Sequence, residues 1–316
     1  MDRKQFVSEL KKQTENSEKI VMKYLPDPED KFQHSVMEAM NYSVTVGGKR
    51  LRPLLIQETY RMFRGQDDYV EPFMAAIEMI HTYSLVHDDL PCLDNDTLRR
   101  GCDTTWKKYG DAMALLAGDG LLNYAYETAL KSFDLIEKEG SAFEVSPETE
   151  VSRYQSCAKA LNILAEKAGI YGMVGGQCLD VEAEKQRLDL SEEELLFIHE
   201  HKTAALIQAC FMIGGVLAGA GKRQIERLEK IGYNVGVAFQ IRDDLLDVIG
   251  DTETLGKNVG SDEKDGKQTY VTLHGIEQSE ADEKKLTEEA LSLLEGLPGN
   301  HEFMEELILS LLGRRK

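Results

Sequence analysis

No stretch of this chain approaches the roughly 18 uninterrupted apolar residues that a membrane-crossing helix needs, so no membrane span is expected. The opening residues, MDRKQFVSELKKQTENSEKI, alternate in charge and lack the apolar core of a signal sequence, so no targeting is expected either. Cysteine is sparse: Cys92, Cys102, Cys157, Cys178 and Cys210 are odd in number and show no CxxC spacing. That pattern suggests neither a disulfide framework nor a zinc site, and a reducing cytoplasm fits it best. Tryptophan occurs once and basic residues are outnumbered, 37 against 56 acidic, for a net charge of -19. Such a surface repels nucleic acid and offers little for stacking bases, so no nucleic-acid partner is expected. With only 7 prolines, helices meet few interruptions, and no convincing alternation of apolar and polar residues marks a strand.

What is present is apolar material, 42% of the residues, arranged with helical periodicity almost throughout. Nothing reads as a linker, so the fold class is all-α and residues 1–316 are expected to form one helical domain. An amphipathic opening helix should stop before Pro26 and Pro28, and a second should run over about residues 30–42 until Gly47-Gly48 breaks it. Pro53 suits the first turn of a helix reaching Met62, and an apolar run leads from Pro72 to His87. Further helices are expected near residues 105–135, 147–168, 174–187, 191–217, 222–248, 280–295 and 302–312, with Ser191 and Glu194 forming a capping box. The segments 140–148 and 250–266 are expected to be long loops, the second a lid or an ordinary solvated connection.

Two aspartate clusters stand out against this background: Asp88, Asp89 and Asp94 in HDDLPCLDND, and Asp243, Asp244 and Asp247 in IRDDLLD. Each ends an apolar helical stretch. Neighbouring carboxylates repel one another and resist burial, so clusters in such places imply divalent cations between them. Mg²⁺ accepts a few carboxylate oxygens and completes its octahedron with water and phosphate oxygens, so the implied ligand is a phosphate or diphosphate. The i, i+4 spacing puts Asp243 and Asp247 on one helix face. Asp88 and Asp94 would lie on opposite sides of a regular helix, so the chain must turn at Pro91 for Asp94 to rejoin Asp88.

Basic residues follow in groups. Gly47-Gly48-Lys49-Arg50-Leu51-Arg52-Pro53 sets three cations before a helix N-terminus, a combination suited to phosphate. Arg99 and Arg100 come just after the first aspartates and face the same ligand in this reading. His81 lies two helical turns before Asp88, on the same face, whereas His87 points elsewhere on a regular helix. Lys202 sits beside Thr203 in apolar surroundings and needs an anionic partner, which a diphosphate would supply. Lys257 and Lys267 lie in the Gly-rich stretch after the second cluster.

Taken in order, GGKRLRP, EMIHTYSLVHDDLPCLDNDTLRRG, GDGLL, GGQCLD, HKTAAL and FQIRDDLLDVIGD with LGK resemble the trans-isoprenyl diphosphate synthases, and most closely their bacterial-type farnesyl members. The resemblance spans nearly the whole chain. It implies an all-helical isoprenoid synthase-like bundle of antiparallel helices around a deep central cavity, usually a homodimer, that acts on small diphosphate substrates. By motif it implies that Asp88, Asp94 and Asp243 bind Mg²⁺, three ions when the allylic diphosphate is bound, with Asp89, Asp244 and Asp247 in support. Arg99, Lys202 and Lys257 would contact the allylic diphosphate, and Lys49, Arg52, His81, Arg100 and Lys267 the isopentenyl diphosphate. Thr203 and Gln240 would turn oxygen dipoles toward the allylic cation.

Tyr83, with the small Ser84 beside it, falls where the farnesyl members carry a bulky cavity floor, so a fifteen-carbon product is expected ahead of a twenty-carbon one. A terpene synthase would need no second diphosphate site, and Lys49, Arg52 and His81 argue against it. A non-catalytic partner subunit would usually lose an aspartate cluster, and both are intact. A metal-dependent helical hydrolase satisfies the charge argument alone and is separated by product analysis.

Overall fold

The computed structural model describes residues 1–28, 32–143, 145–249 and 268–312. They form helix α1 (Arg3–Lys23), α2 (His34–Thr45), α3 (Leu51–Met62), a short 3₁₀ turn (Asp68–Val70), α4 (Glu71–Asp88), a two-stranded hairpin, α5 (Thr105–Tyr109), α6 (Asp111–Phe143), α7 (Pro147–Ala168) and α8 (Met173–Gln186). After these come α9 (Glu192–Ile198), a π-helical segment (His199–Ala204), α10 (Ala205–Leu217), α11 (Lys222–Ile249), α12 (Tyr270–His274), α13 (Ile276–Glu295) and α14 (Glu302–Leu312). The all-α class is borne out. α10 is the hub: every residue from Ala205 to Leu217 is buried, because α3, α7 and α11 pack around it. A helix apolar on all sides has no stable place except inside others. α4 is nearly as enclosed and lies along α6.

Local chemistry explains most boundaries. Asp2 caps α1 with a capping box to Gln5, and the predicted box of Ser191 and Glu194 starts α9. α2 ends at Thr45, where Gly47 and Gly48 turn to positive φ. Three expectations need correction. The helix foreseen over 105–135 is two helices, because Gly110 at φ 87° breaks the run after Tyr109, and the second continues to Phe143. The long loop foreseen over 140–148 is thereby reduced to a short connection before Ser146 caps α7. Strands were not foreseen, yet Leu98–Arg99 and Cys102–Asp103 (β1 and β2) pair antiparallel, Leu98 with Asp103 and Arg99 with Cys102. Arg100 (φ 54°) and Gly101 (φ 78°) make the two-residue turn between them, the left-handed geometry that matches strand twist. The segment 250–266 lies outside the described residues.

Two apolar clusters result. The larger runs through α1, α3, α4, α6, α7, α10, α11 and α14. The smaller, of Leu190, Leu195, Ile198, Ala204, Val237, Ile241, Leu245, Tyr270 and Val271, lies beneath the second aspartate cluster.

Candidate active site

The C-terminal end of α4 carries the first aspartates. Beyond Asp89 the helix hydrogen bonds stop, Pro91 enters, and the Asp94 amide donates to the Asp88 carbonyl at 2.9 Å. The turn required by the sequence therefore forms, and Asp94 returns to Asp88. The Asp88 carboxyl accepts a 2.8 Å bond from the Gln177 side-chain amide of α8. Burial, and secondarily the charges of Asp94 and Asp89, push its pKa up to about 6 against the pull of Lys202 and Arg99. Such a carboxyl gains by meeting a cation. Asp89 turns inward and is gripped by Arg99, whose Nε lies 2.8 Å from Oδ1 and Nη2 2.5 Å from the same oxygen. Arg99 is held in place by the β1–β2 hairpin, which is itself tied down by the Thr104 hydroxyl and the Trp106 indole, both donating to the Asp96 carbonyl at 2.8 and 2.7 Å.

Across the hairpin turn, Arg100 donates from its guanidinium to the Gly47 carbonyl. A Cβ at Gly48 would stand 2.8 Å from Arg100 Nη1, which would have to shift, and the backbone of Gly48 at φ 149° is one that favours glycine. His81, two turns before Asp88 on α4, feels the charges of Arg52, Arg100, Arg99 and Arg50, and burial together with these guanidinium groups holds its pKa well below the ordinary histidine value. The neutral ring is therefore the resting form. Arg52 projects from the first turn of α3, and its Nε is buried without a hydrogen-bond partner among the described residues. Burial lowers its pKa despite Glu78 nearby. A buried, unsatisfied guanidinium N–H is a strong demand for an anion. Lys49 is exposed beside it.

Arg50 behaves differently from its neighbours in GGKRLR, and the reading of three phosphate-facing cations is corrected here. Its left-handed backbone (φ 47°) sends the side chain into the interior, where it pairs with Glu18, with Glu78 at 2.8 Å and with the Val44 carbonyl at 2.6 Å. It joins α1, α2 and α4 and faces no ligand.

The second cluster sits near the end of α11. Asp244 is buried, with one oxygen accepting from the Gln240 amide at 3.1 Å and the other from the Tyr270 backbone amide at 2.9 Å; His199 lies 3.7 Å away. Asp243 and Asp247 are half-buried on the neighbouring face. Gln240 in turn accepts the Thr203 hydroxyl at 2.9 Å. Thr203 and Lys202 both belong to the π-helical segment, whose widened turn displays adjacent residues in directions a regular helix would not. Lys202 acts electrostatically on Asp88 of the first cluster while Thr203 bonds into the second. The partner Lys202 needs is present: Asp180 Oδ2 of α8, at 2.5 Å.

The structure thus brings Asp88, Asp94, Asp89, Arg99 and Lys202 into one neighbourhood and His81, Arg52 and Arg100 into an adjoining one. Among the described residues no group of three His, Cys, Asp or Glu side chains is arranged to hold a metal ion by itself. Lys257 and Lys267 lie outside the described residues. Tyr83 is buried below Asp88, edge-on to His87 with ring centroids 5.7 Å apart, and Ser84 returns its hydroxyl to the His81 carbonyl at 2.9 Å. His87 contacts the Leu115 carbonyl of α6 at 3.1 Å and lies 3.9 Å from Asp119, turned from the first aspartate cluster as its helical phase requires. Gln177 and Asp180 were not foreseen. The available signal was Lys202, which in apolar surroundings needs an anionic partner; the structure leaves it half-buried and supplies a carboxylate where a diphosphate was expected.

Comparison with known proteins agrees with this geometry. The polyprenyl synthetase family model matches residues 33–297. The farnesyl diphosphate synthase of Bacillus subtilis is 41% identical over 302 residues, covering 96% of this chain and 95% of the relative. Among solved structures, an apo FPP/GFPP synthase from Zymomonas mobilis superposes with a TM-score of 0.80 at 31% identity, over 96% of this chain and 99% of the other. A geranyltransferase from Helicobacter pylori, complexed with magnesium and isoprenyl diphosphate, superposes with a TM-score of 0.78 at 31% identity, over 98% and 96% of the two chains.

Proposed function

The chain belongs to the polyprenyl synthetase family, and from that premise we propose that it is a prenyltransferase joining isopentenyl diphosphate head to tail with dimethylallyl or geranyl diphosphate to give (2E,6E)-farnesyl diphosphate. One observation carries the reading at residue level. Around the C-terminal half of α4, the carboxylates Asp88 and Asp94 adjoin a basic group of His81, Arg52 and Arg100, with Arg99 acting on both, so two anionic ligands have two chemically different seats.

The donor set fits a divalent cation. Asp88 is a half-buried carboxyl whose ionisation is resisted by Asp94 and Asp89, and Mg²⁺ needs only one or two such groups when phosphate oxygens complete its shell. Asp88, Asp94 and Asp243 would hold Mg²⁺, three ions with the allylic diphosphate in place, and Asp89, Asp244 and Asp247 would support them. When bound, Mg²⁺ neutralises charge that gathers on the departing diphosphate.

The chain's own residues supply the rest. Lys202, Arg99 and Lys257 contact the allylic diphosphate and share its charge as the carbon–oxygen bond breaks. Arg52, Lys49, Arg100 and Lys267 hold isopentenyl diphosphate, and the unsatisfied Arg52 N–H gains its partner there. Neutral His81 donates one N–H without adding to the repulsion among the arginines. The allylic cation faces apolar helix walls that exclude water, with Thr203 and Gln240 oxygens nearest to its charge. The isopentenyl double bond forms the new carbon–carbon bond, and the proton lost in the final step passes to the released diphosphate. Tyr83 closes the floor at fifteen carbons. One domain spanning residues 1–316, a homodimeric assembly and a cytoplasmic location complete the proposal.

The test is incubation with isopentenyl diphosphate, each allylic diphosphate and Mg²⁺, followed by chain-length analysis. Farnesyl diphosphate is expected. A twenty-carbon product would replace the farnesyl reading by a geranylgeranyl one, a cyclised product by a terpene synthase, and hydrolysis alone would overturn the transferase.

A further inference from the structure

α8 touches both proposed diphosphate-binding groups at once. Gln177 and Asp180 lie three residues apart and share one helix face. From that face the Gln177 amide reaches Asp88 Oδ1 at 2.8 Å, and Asp180 Oδ2 receives Lys202 Nζ at 2.5 Å. A carboxylate only accepts, so Gln177 must present its NH₂ group to Asp88, and its orientation is fixed by chemistry. Asp180 is buried, and a buried carboxylate requires a cation. The register of α8 is fixed as well: a Cβ at Gly176 would collide with the Lys202 backbone nitrogen, so α8 rests directly on the backbone of the π-helical segment.

We propose that α8 sets the spacing between Asp88 and Lys202, with Gln177 and Asp180 as positioning residues for the metal-bound allylic diphosphate. Gln177 occupies one flank of Oδ1 and fixes the plane of the carboxylate, leaving its other lone pairs free to accept a cation. Asp180 keeps the Lys202 ammonium extended toward the ligand. Neither touches the substrate. The inference deepens the proposed function and rests on it.

Two near-isosteric variants test it in the intact protein, Gln177→Met and Asp180→Asn. The readout is calorimetric binding of geranyl thiolodiphosphate, an unreactive allylic analogue, at a series of Mg²⁺ concentrations, with binding of isopentenyl diphosphate measured in parallel. Loss of an outer partner of a metal ligand commonly weakens metal affinity about 10–100-fold. Gln177→Met is therefore expected to raise the Mg²⁺ concentration for half-maximal analogue binding by about tenfold or more. Asp180→Asn is expected to weaken the analogue at saturating Mg²⁺, by roughly the tenfold that a charged hydrogen-bond partner supports. Isopentenyl diphosphate binding should stay within about twofold of the parent, a margin set by ordinary scatter in distant effects.

An unchanged Mg²⁺ requirement in Gln177→Met overturns its role, and unchanged analogue affinity in Asp180→Asn overturns the other. Equal loss of both ligands, or an unfolded far-ultraviolet spectrum in both variants, overturns positioning in favour of a purely structural tie. Failure of the parent to make any condensed product would instead strike the proposed function, which the parent's own turnover assay reads separately.

Discussion

The Asp94 amide donates to the Asp88 carbonyl across six residues of sequence, and this single 2.9 Å bond turns two carboxylates on opposite helix faces into neighbours. Around it the Leu93 amide reaches the Leu90 carbonyl, the Asn95 amide reaches the same carbonyl, and Asn95 takes left-handed backbone at φ 54°. The loop is therefore a built turn, and Asp94, with Asp89, raises Asp88 beyond the effect of burial.

Asp88→Ala and Asp243→Ala are each expected to lower turnover by at least ~10³-fold, because leaving-group charge held by metal is worth several kcal/mol. Steady-state rates with and without excess EDTA check this. Full turnover under chelation would remove the metal from the mechanism.

The two basic neighbourhoods should separate kinetically. Arg52→Ala is expected to raise the apparent KM for isopentenyl diphosphate, and Lys202→Ala that for the allylic substrate, since a charge-assisted contact contributes about 1.5–3 kcal/mol. Two-substrate kinetics provide the measurement. Parallel effects on both substrates would show the division of the site to be wrong.

Tyr83→Ala is expected to lengthen the product with the first condensation largely intact. An added five-carbon unit is apolar, and its entry into the opened space is favourable by roughly 0.8 kcal/mol per buried CH₂. Chromatography of the dephosphorylated products decides. An active variant that still stops at fifteen carbons would clear Tyr83 of the role.

Asp88 also predicts a pH signature in the metal-free protein. Its folded pKa, about 6, lies above the ordinary 3.8, so the folded state binds the extra proton between those values. Stability from this group is therefore full below about pH 4 and lost as pH rises through about 6. Thermal melts of parent and Asp88→Asn across that range should converge at low pH, with the parent falling behind as pH rises. Parallel curves would mean that Asp88 titrates normally.

Arg50→Ala is expected to lower stability by roughly 3–5 kcal/mol, because it leaves Glu78 buried without its cation. Urea unfolding measures it. A change below about 1 kcal/mol, the range of exposed pairs, would show the pair to be solvated.

Helices were legible wherever apolar periodicity and caps agreed: α7 spans Pro147–Ala168 as expected, and the residues flanking α4 differ by one position at each end. Arg50 was misread because composition cannot report backbone handedness, and a left-handed φ sends the middle cation of the GGKRLR segment inward. The β1–β2 hairpin escaped notice because two-residue strands carry no periodicity. Its only trace was Arg100-Gly101, a pair able to take positive φ. The contacts of Lys202 and Asp88 with α8 were not legible for another reason: its GGQCLD segment stands out only through the family resemblance, and it shows neither a charge cluster nor a strong apolar face that would point to either residue.

The π-helical turn also bears on the length of the chain at this point. α9 sends Leu195 and Ile198 into the smaller apolar cluster, while α10 sends Leu206 and Ile207 into the larger, and the widened turn lies between them. A π turn holds about one residue more than the α turn it replaces, so removing one residue from this stretch would restore ordinary pitch, leave the flanking helices facing nearly as they do, and erase the separate directions of Lys202 and Thr203. The extra residue therefore serves the direction of these two side chains and not the packing of the helices on either side.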